Sequence, residues 1–450
     1  MMKSFNKKTT DRRWFLKAAA GVAGTGFWAD STLDAAVQNT QRNSAPSQLK
    51  ITDLRVAVLA KAPFTCPVIR IDTNQGISGL GEVRDGASKT YALLLKSRIL
   101  GQNPCNIEQI FRRLRQFGGH GRMAGGVVAI EEALWDLAGK AYNVPIYQML
   151  GGKYRDRCRC YADTPDSPDP KVFGERMKTR IEQGFTFLKM DIGIMGHLRG
   201  VPGTVAGLQT QERGREHTFT GVEITDKGAE IMADYIMKVR EVVGWEIPIA
   251  TDHFGNMGVN SIIRLGKAFQ KCNLAWMEDT VPWYRTDLLK EIKNALDVPI
   301  CTGEDIYGLE AFETLCRESA VDIIQPDLST SGGILETKRI GDMAQRYGIP
   351  MAMHMAGSPV CCFANVHCAA ATEGFLVMEN HSVDIPWWDD LVTGVEKPIL
   401  NKGYIRVPEG PGLGIDLNEE VVKQHLMAGE SYFAPTPEWD RERSADQLYS

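Results

Sequence analysis

The sequence predicts an α/β protein in which an eight-stranded barrel follows a smaller α+β domain. The barrel is indicated by eight short apolar runs, each followed by a polar stretch of helical character. From the third run onward, the ends of successive runs lie about 25 residues apart, which suits one helix and two loops per step. Each run ends in an acidic residue or a histidine, in the order Asp163, Asp191, Asp252, Glu278, Glu304, Asp327, His354 and Glu379.

The composition is that of a globular protein without a strong charge bias. The 450 residues include 51 Lys and Arg against 56 Asp and Glu, which gives a formal net charge of -5. A chain without a basic excess is not expected to bind nucleic acid, because such binding depends on neutralising phosphates. The hydrophobic fraction of 43% excludes disorder for most of the chain.

Residues 1–36 are interpreted as a twin-arginine export signal. Arg12 and Arg13 precede a Gly/Ala-rich apolar run, Ala18 to Ala29, which is too short to span a bilayer. Residues 37–49 are small and polar, as expected of a linker. No later stretch is apolar over the roughly 18 residues that a membrane helix needs. We therefore expect a periplasmic protein without membrane insertion, exported by the twin-arginine translocase.

The smaller α+β domain is expected to occupy residues 50–155. Residues 50–83 alternate apolar and polar side chains around an Asn-Gln-Gly turn, which is typical of antiparallel strands. Residues 125–152 then repeat apolar side chains at helical spacing, which predicts a long helix.

The barrel is expected to occupy residues 156–385. The step from Asp191 to Asp252 is much longer than the others, and the extra residues are assigned to an insert at 195–228. Because this insert is rich in Gly, Pro and charged residues, it is predicted to be a long loop or lid over the barrel mouth.

Three acids on consecutive strands point to a metal site. The C-terminal ends of all strands meet at one face of an α/β barrel, so Asp252, Glu278 and Glu304 should lie together there. Their carboxylates would repel one another without a cation between them. Ligands that are all oxygen indicate Mg²⁺, which also leaves positions for water and substrate.

Several motifs in a fixed order resemble the enolase superfamily, in particular its mandelate racemase subgroup. They are AIEEALWDLAGKAYNVPIYQMLGG, ATD, WMED, CTGED, QPDLSTSGGI, MAMHMAGSP and PEGPGLGI. The resemblance implies a modified (β/α)₇β TIM barrel with an α+β capping domain formed from both ends of the chain, completed by residues 386–450. It also implies one Mg²⁺ per subunit at the three acids and abstraction of a proton α to a substrate carboxylate.

The same resemblance implies roles for further strand-end residues. Asp327 and His354 correspond to a dyad in which the acid orients an imidazole that acts as acid or base. Glu379 would hydrogen-bond the substrate carboxylate or the enediolate, being itself protonated or paired. Lys189 is expected to contact the substrate carboxylate.

The sequence departs from the patterns of the family in two places. Racemases carry Lys-x-Lys at the end of the second strand, whereas this chain has Lys189, Met190 and Asp191, so the usual base opposite His354 is missing. His253 directly follows a metal ligand and is a candidate catalytic or supporting residue, although on a regular strand it would point away from the pocket. The chain is most similar to acid-sugar dehydratases such as galactonate and mannonate dehydratases.

The sequence therefore favours a hydro-lyase that removes water from a sugar acid and forms a 2-keto-3-deoxy acid. Two alternatives stay open: a racemase, epimerase or cycloisomerase that uses the same enediolate, and a non-catalytic periplasmic protein that binds sugar acids. Trp387 and Trp388, just beyond the last strand, could pack on a sugar or against the cap. By analogy with the family, a homo-oligomer is expected.

Overall fold

The structure is a computed structural model that describes residues 45–192, 204–206, 217–254 and 257–442. The predicted export signal and the larger part of the linker lie outside these residues, as does most of the predicted insert. No helix within the described ranges is long and apolar enough to cross a membrane.

The smaller domain begins with a three-stranded antiparallel meander. Its strands are β1 (Ile51–Leu59), β2 (Cys66–Thr73) and β3 (Ser78–Glu82). The turn between β2 and β3 uses Gly76 at a φ of 77°, where a residue without a Cβ is favoured. The helices described in this domain are α1 (Thr90–Leu93), α2 (Lys96–Ile99), α3 (Ile107–Leu114), α4 (Gly125–Tyr142) and α5 (Ile146–Met149).

Helix α4 packs directly on strand β3 because that strand presents glycines to it. A Cβ at Gly81 would lie 2.0 Å from the carbonyl oxygen of Ala129, and one at Gly79 would lie 2.1 Å from that of Ala133. No larger residue fits either place without moving the helix. This close approach brings the acidic residues of α4 to the boundary between the smaller domain and the barrel.

The barrel consists of eight parallel strands in chain order, and every neighbouring pair except β4 and β5 forms a ladder within the described residues. They are β4 (Arg157–Ala162), β5 (Leu188–Met190), β8 (Ile249–Thr251), β9 (Met277–Glu278), β10 (Ile300–Thr302), β11 (Ile323–Ile324), β12 (Met351–Met353) and β13 (Phe375–Asn380). The ladder runs from β5 through β8 to β13 and then to β4, and at the β4–β5 junction the side chain of Arg159 donates to Thr186.

The helices that follow the first seven strands complete a (β/α)₇β barrel, as the family resemblance implies. They are α6 (Pro170–Glu182), α7 (Asp226–Val243), α8 (Val259–Phe269), α9 (Thr286–Ala295), α10 (Leu309–Arg317), α12 (Ile334–Arg346) and α13 (Pro359–Ala371). A short helix, α11 (Leu328–Ser331), precedes α12.

The barrel interior holds a layer to which each strand contributes one side chain. The layer consists of Tyr161, Phe187, Ala250, Trp276, Cys301, Ile323, Ala352 and Val377. Because side chains alternate along a strand, the residue two positions after each of these faces the same interior, nearer the C-terminal mouth. This layer is therefore the floor beneath the candidate site.

One boundary differs from the sequence-based prediction. The predicted insert 195–228 overlaps regular structure, because β6 (Thr204–Ala206) pairs with β7 (Val222–Ile224) and α7 already starts at Asp226. The N-cap of α7 is Thr225, whose side chain accepts from the amide of Gly228.

The C-terminal segment 386–450, predicted to complete the cap, also extends the barrel. Strands β15 (Leu400–Asn401) and β16 (Tyr404–Arg406) form a hairpin, and β16 pairs antiparallel with β4. Strands β14 (Val392–Thr393) and β17 (Asp416–Leu417) pair with each other, and α14 (Glu419–Gln424) follows.

Residues after α14 reach the smaller domain. Leu426 forms a bridge with Leu59 on β1. The ammonium of Lys96, on α2, lies 2.7 Å from Asp440 and 2.6 Å from Asp53. An earlier part of the segment joins the smaller domain as well, because the amide of Leu413 donates to Asp136 of α4 at 2.8 Å and Gly412 forms a bridge with Pro145.

Candidate active site

Four of the predicted residues lie at the mouth because they follow the interior layer by two positions. Asp252, Glu278, His354 and Glu379 come two residues after Ala250, Trp276, Ala352 and Val377 respectively. Their side chains are between 0 and 8% exposed. Strand alternation therefore gathers four ionisable groups in one buried space.

Lys189 stands at the same level on β5 and links three carboxylates. Its Nζ lies 2.8 Å from Oδ2 of Asp252 and 2.7 Å from Oε1 of Glu379. It is 3.7 Å from Oε2 of Glu278. Burial opposes the charge on this ammonium, but the surrounding carboxylates raise the pKa of Lys189 well above its ordinary value. Lys189 is therefore the positive centre of the mouth.

Glu278 is held rigidly from below. Its Oε2 accepts from the indole of Trp276 at 2.9 Å, and its Oε1 accepts from the amide of Gln325 at 2.8 Å. Gln325 occupies the mouth position of β11, so Asp327 lies beyond it on the loop. This supporting role of Gln325 was not predicted, because the residue stands before the acid that ends its apolar run.

Strand β10 departs from the alternation. The position two residues after Cys301 is Gly303, whose φ is 152° and whose Cβ would lie 2.9 Å from the backbone of Gln325. The first acid on this strand is consequently Glu304, one residue later. Its carboxylate lies 3.3 Å from Nε2 of His354.

Asp327 and His354 form the predicted pair in space. Nδ1 of His354 lies 2.5 Å from Oδ2 of Asp327. This contact assigns Nδ1 to the carboxylate and leaves Nε2 directed at the mouth. Burial lowers the pKa of His354, but Glu304 and Asp327 offset it and hold the value above the ordinary one.

A residue of the smaller domain, Arg84, completes this pair. Its Nη1 lies 2.5 Å from the same Asp327 oxygen, and it also donates to the hydroxyl of Thr330 at 3.0 Å. The side chain is 1% exposed. Burial raises the pKa of Asp327, but Arg84 and the imidazole outweigh it and keep the value below the ordinary one.

Asp191 and His253 lie together at the rim of the mouth. His253 has a φ of 72°, and this left-handed conformation turns its ring so that Nε2 is 3.5 Å from Asp191. The side chain of His253 is 58% exposed. Contact with Asp191, together with the charge of Asp252, raises the pKa of His253 to about 10.

A second histidine at the mouth, His381, was missed. Its Nδ1 lies 3.3 Å from Asp163 and its Nε2 lies 3.3 Å from Glu379. Burial opposes protonation, but these two carboxylates raise the pKa of His381 to about 10. The alternation carried a signal for it, because His381 follows Glu379 by two residues.

The predicted metal ligands do not all converge. Among the described residues, two groups have ligand atoms within 4.8 Å of one another: Asp191, Asp252 and His253, and His354, Glu379 and His381. The predicted triad of Asp252, Glu278 and Glu304 is not such a group. Lys189 lies between Asp252 and Glu278, and Glu304 is drawn towards His354.

The charges at the mouth nevertheless fit a divalent cation. Burial and the neighbouring carboxylates raise the pKa values of Glu278 and Asp279. Asp279 directly follows Glu278 and faces Glu304 and Asp252. Adjacent buried carboxylates with all-oxygen donors are the environment that Mg²⁺ stabilises.

Comparison with known proteins identifies two matching family models. The one described as "Enolase C-terminal domain-like" matches residues 173–421. The one described as "Mandelate racemase / muconate lactonizing enzyme, N-terminal domain" matches residues 32–151.

Individual relatives match most of the chain. D-xylonate dehydratase of Haloferax volcanii is 33% identical over 394 residues, with 85% of this chain and 90% of the relative covered. A D-galactonate dehydratase family member of Streptomyces bingchenggensis is 28% identical, with 84% and 93% covered.

The structure is also similar to solved structures. A mandelate racemase/muconate lactonizing enzyme-like protein from Rubrobacter xylanophilus superposes with a TM-score of 0.76 at 31% identity, covering 86% of this chain and 99% of that one. The motifs, the capped barrel and these matches agree. The chain belongs to the mandelate racemase / muconate lactonizing enzyme family of the enolase superfamily.

Proposed function

We propose that this protein is a Mg²⁺-dependent hydro-lyase that removes water from a sugar acid and forms a 2-keto-3-deoxy acid. The observation that carries the proposal is the Asp327–His354 dyad, which faces the same buried mouth as the carboxylates of Asp252, Glu278 and Glu304. The names of the two relatives, both sugar-acid dehydratases or members of such a family, support the substrate class.

Asp252, Glu278 and Glu304 are the residues that would hold Mg²⁺. When bound there, the ion would supply positive charge for the substrate carboxylate, which would make the neighbouring carbon more acidic. Lys189, which already contacts carboxylates at the mouth, adds a second positive charge for the same group.

His354 is the base for the α-proton. Because Asp327 holds Nδ1, the neutral ring keeps its lone pair on Nε2, which is the nitrogen at the mouth. Arg84 in turn fixes Asp327 from the other side. A base so oriented needs no rearrangement when the substrate binds.

Dehydration is favoured over racemisation because Asp191 replaces the second lysine of the Lys-x-Lys motif of the racemases. Racemisation needs a base on each face of the α-carbon. Asp191 stands at that place and is paired with His253, whereas Lys189 is surrounded by carboxylates. Loss of water needs no second base, so the residues present suit elimination.

The proposal is tested by incubating the protein with Mg²⁺ and a panel of aldonates that includes D-xylonate and D-galactonate. We expect a 2-keto-3-deoxy product from at least one aldonate, detected as its semicarbazone, and no product after EDTA treatment. An aldonate that changes configuration at C2 without losing water would instead support the epimerase alternative. Metal-dependent binding without either reaction would support the binding protein.

A further inference from the structure

A second imidazole–carboxylate pair lies beside the Asp327–His354 dyad. Nδ1 of His381 is 3.3 Å from Oδ2 of Asp163, and the ring centroids of His381 and His354 are 5.7 Å apart. Asp163 follows β4 and His381 follows β13, which are paired strands. The dyad lies at the junction of β11 and β12, so the two histidines follow the neighbouring strands β12 and β13, with their aspartates on the strands outside them.

Both imidazoles converge on the carboxylate of Glu379. Nε2 of His381 lies 3.3 Å from Oε1, and Nε2 of His354 lies 3.8 Å from Oε2. Each ring contacts its own aspartate through Nδ1, so each presents Nε2 to the mouth. Two proton-transferring nitrogens thus lie on the same side of the space where the substrate binds.

His381 also borders a cavity of about 540 Å³. The cavity lies between the smaller domain, represented by Lys61, and the segment after β13, represented by Trp387. The ring of His425 stacks on Trp387 with centroids 3.7 Å apart, which makes a flat aromatic wall. Such a wall suits the C–H faces of a sugar chain, and Lys61 suits its oxygens.

We propose that His381 is the general acid of the reaction, which protonates the hydroxyl group that leaves C3 of the sugar acid. This inference rests on the proposed dehydratase function. His354 takes the proton from C2, and the electrons of that C–H bond form the C2–C3 double bond. The C3–O bond breaks, and the oxygen leaves as water with the proton from Nε2 of His381.

The product of this step is an enol, which tautomerises to the 2-keto-3-deoxy acid. Solvent then returns a proton to His381 and removes one from His354, so the two rings are reset. Because both nitrogens approach from the side of Glu379, the C2 hydrogen and the C3 hydroxyl leave from the same face. The carboxylates of Asp163 and Glu379 favour the protonated ring that the step requires.

The experiment compares two leaving groups in the wild-type chain and in His381→Asn, both with Mg²⁺. One substrate is an aldonate that the wild type dehydrates, and the other is its 3-deoxy-3-fluoro analogue. Fluoride leaves as an anion and needs no general acid. We expect His381→Asn to lose water at least about 100-fold more slowly, because general acids contribute about that factor or more. Fluoride release, followed by ¹⁹F NMR, should stay within about threefold of wild type.

A general acid and a residue that merely orients Glu379 give different results. If His381→Asn slows water loss and fluoride release by the same factor, the proposal is overturned. It is also overturned if His381→Asn dehydrates the aldonate at the wild-type rate. Asp163→Asn removes the aspartate partner of His381. It should also slow the loss of water more than it slows the release of fluoride. If the wild type releases neither water nor fluoride from any aldonate, the proposed function itself fails and the inference fails with it.

Discussion

Arg84 shows how one side chain of the smaller domain reaches the chemistry of the barrel. It lies two residues beyond β3, is buried, and shares one oxygen of Asp327 with His354. It also lies 2.9 Å from Asp85. Removing the guanidinium would leave two buried carboxylates without their main counter-charge, which is costly in a low-dielectric interior.

We expect Arg84→Met to lower the free energy of unfolding by about 3–5 kcal/mol, because the substitution strands the carboxylates of Asp327 and Asp85. Urea titration measures the loss. Arg112→Met is the matched control, since Arg112 is an exposed partner of Glu108 and should cost less than about 1 kcal/mol. Equal, small losses for the two variants would contradict the assigned role of Arg84.

Residues that end apolar runs could be predicted from the sequence, whereas their partners could not. Asp252, Glu278, His354 and Glu379 each follow an inward-facing side chain by two positions, so strand alternation alone brings them to the mouth. Arg84 carries no such signal, because its partner Asp327 is distant in the chain and the contact depends on how the domains pack.

At the scale of elements, the smaller domain supports the two barrel helices that follow the dyad. Glu131 of α4 accepts from the amides of Ile334 at 2.8 Å and Leu335 at 3.1 Å, at the start of α12. Glu82 of β3 accepts from the amide and hydroxyl of Ser358, directly before α13. Carboxyl groups at helix N-termini satisfy free amides and interact favourably with the helix dipole.

The pKa of Glu82 leads to a pH-dependent prediction. Burial raises it from about 4.5 to about 7, although contacts from Ser358 oppose the rise. Between these values the folded state holds a proton that the unfolded state has lost, so the contribution of Glu82 to stability decreases as pH rises. We therefore expect the free energy of unfolding of Glu82→Gln to rise by about 3 kcal/mol relative to that of the wild type between pH 4.5 and pH 7.

Urea midpoints of the two proteins across this pH range measure the effect. Taking the difference between wild type and Glu82→Gln cancels the titration of other carboxyl groups. A difference that does not change with pH would show that the pKa of Glu82 is the same in the folded and unfolded states.

The packing of α4 on β3 gives a second prediction at this scale. We expect Gly81→Ala to lower the unfolding free energy by about 3 kcal/mol or more, because its Cβ would overlap the carbonyl of Ala129. Gly374→Ala is the control, since its Cβ would meet nothing closer than 3.7 Å. A Gly81→Ala protein as stable as the control would contradict the close contact.

The eight strands were predictable because each lies in a short apolar run, and the long helix α4 was predictable because its apolar side chains recur at helical spacing. The end of the insert was not, because β7 (Val222–Ile224) has three residues and needs β6 to pair with. The pairing of β16 with β4 was also missed, since a three-residue strand at a sheet edge depends on its partner.

For the whole molecule, the net charge of -5 conceals an uneven distribution of carboxylates. The acids of successive strands meet at one end of the barrel, where Lys189, Arg84 and two histidines partly balance them. A near-neutral composition is therefore compatible with a strongly charged site. This is why the overall charge argues against a nucleic-acid partner but does not indicate the proposed metal site.

The expected export of the protein depends on residues 1–36. We expect the double variant Arg12→Lys, Arg13→Lys to remain in the cytoplasm of a bacterial host, because the arginine pair is the recognition feature of the predicted signal. Cell fractionation with an antibody to the chain measures this. Equal periplasmic amounts of the variant and the wild type would contradict the predicted signal.

The central claim is that the Asp327–His354 dyad moves the proton on the carbon next to a substrate carboxylate. Proton NMR in D₂O tests it most directly, by following the C2 hydrogen of a sugar acid with Mg²⁺ present. The wild type should remove this hydrogen, whereas His354→Asn should leave it in place while the variant remains folded and binds Mg²⁺. Loss of the C2 hydrogen at the wild-type rate in His354→Asn would contradict the account.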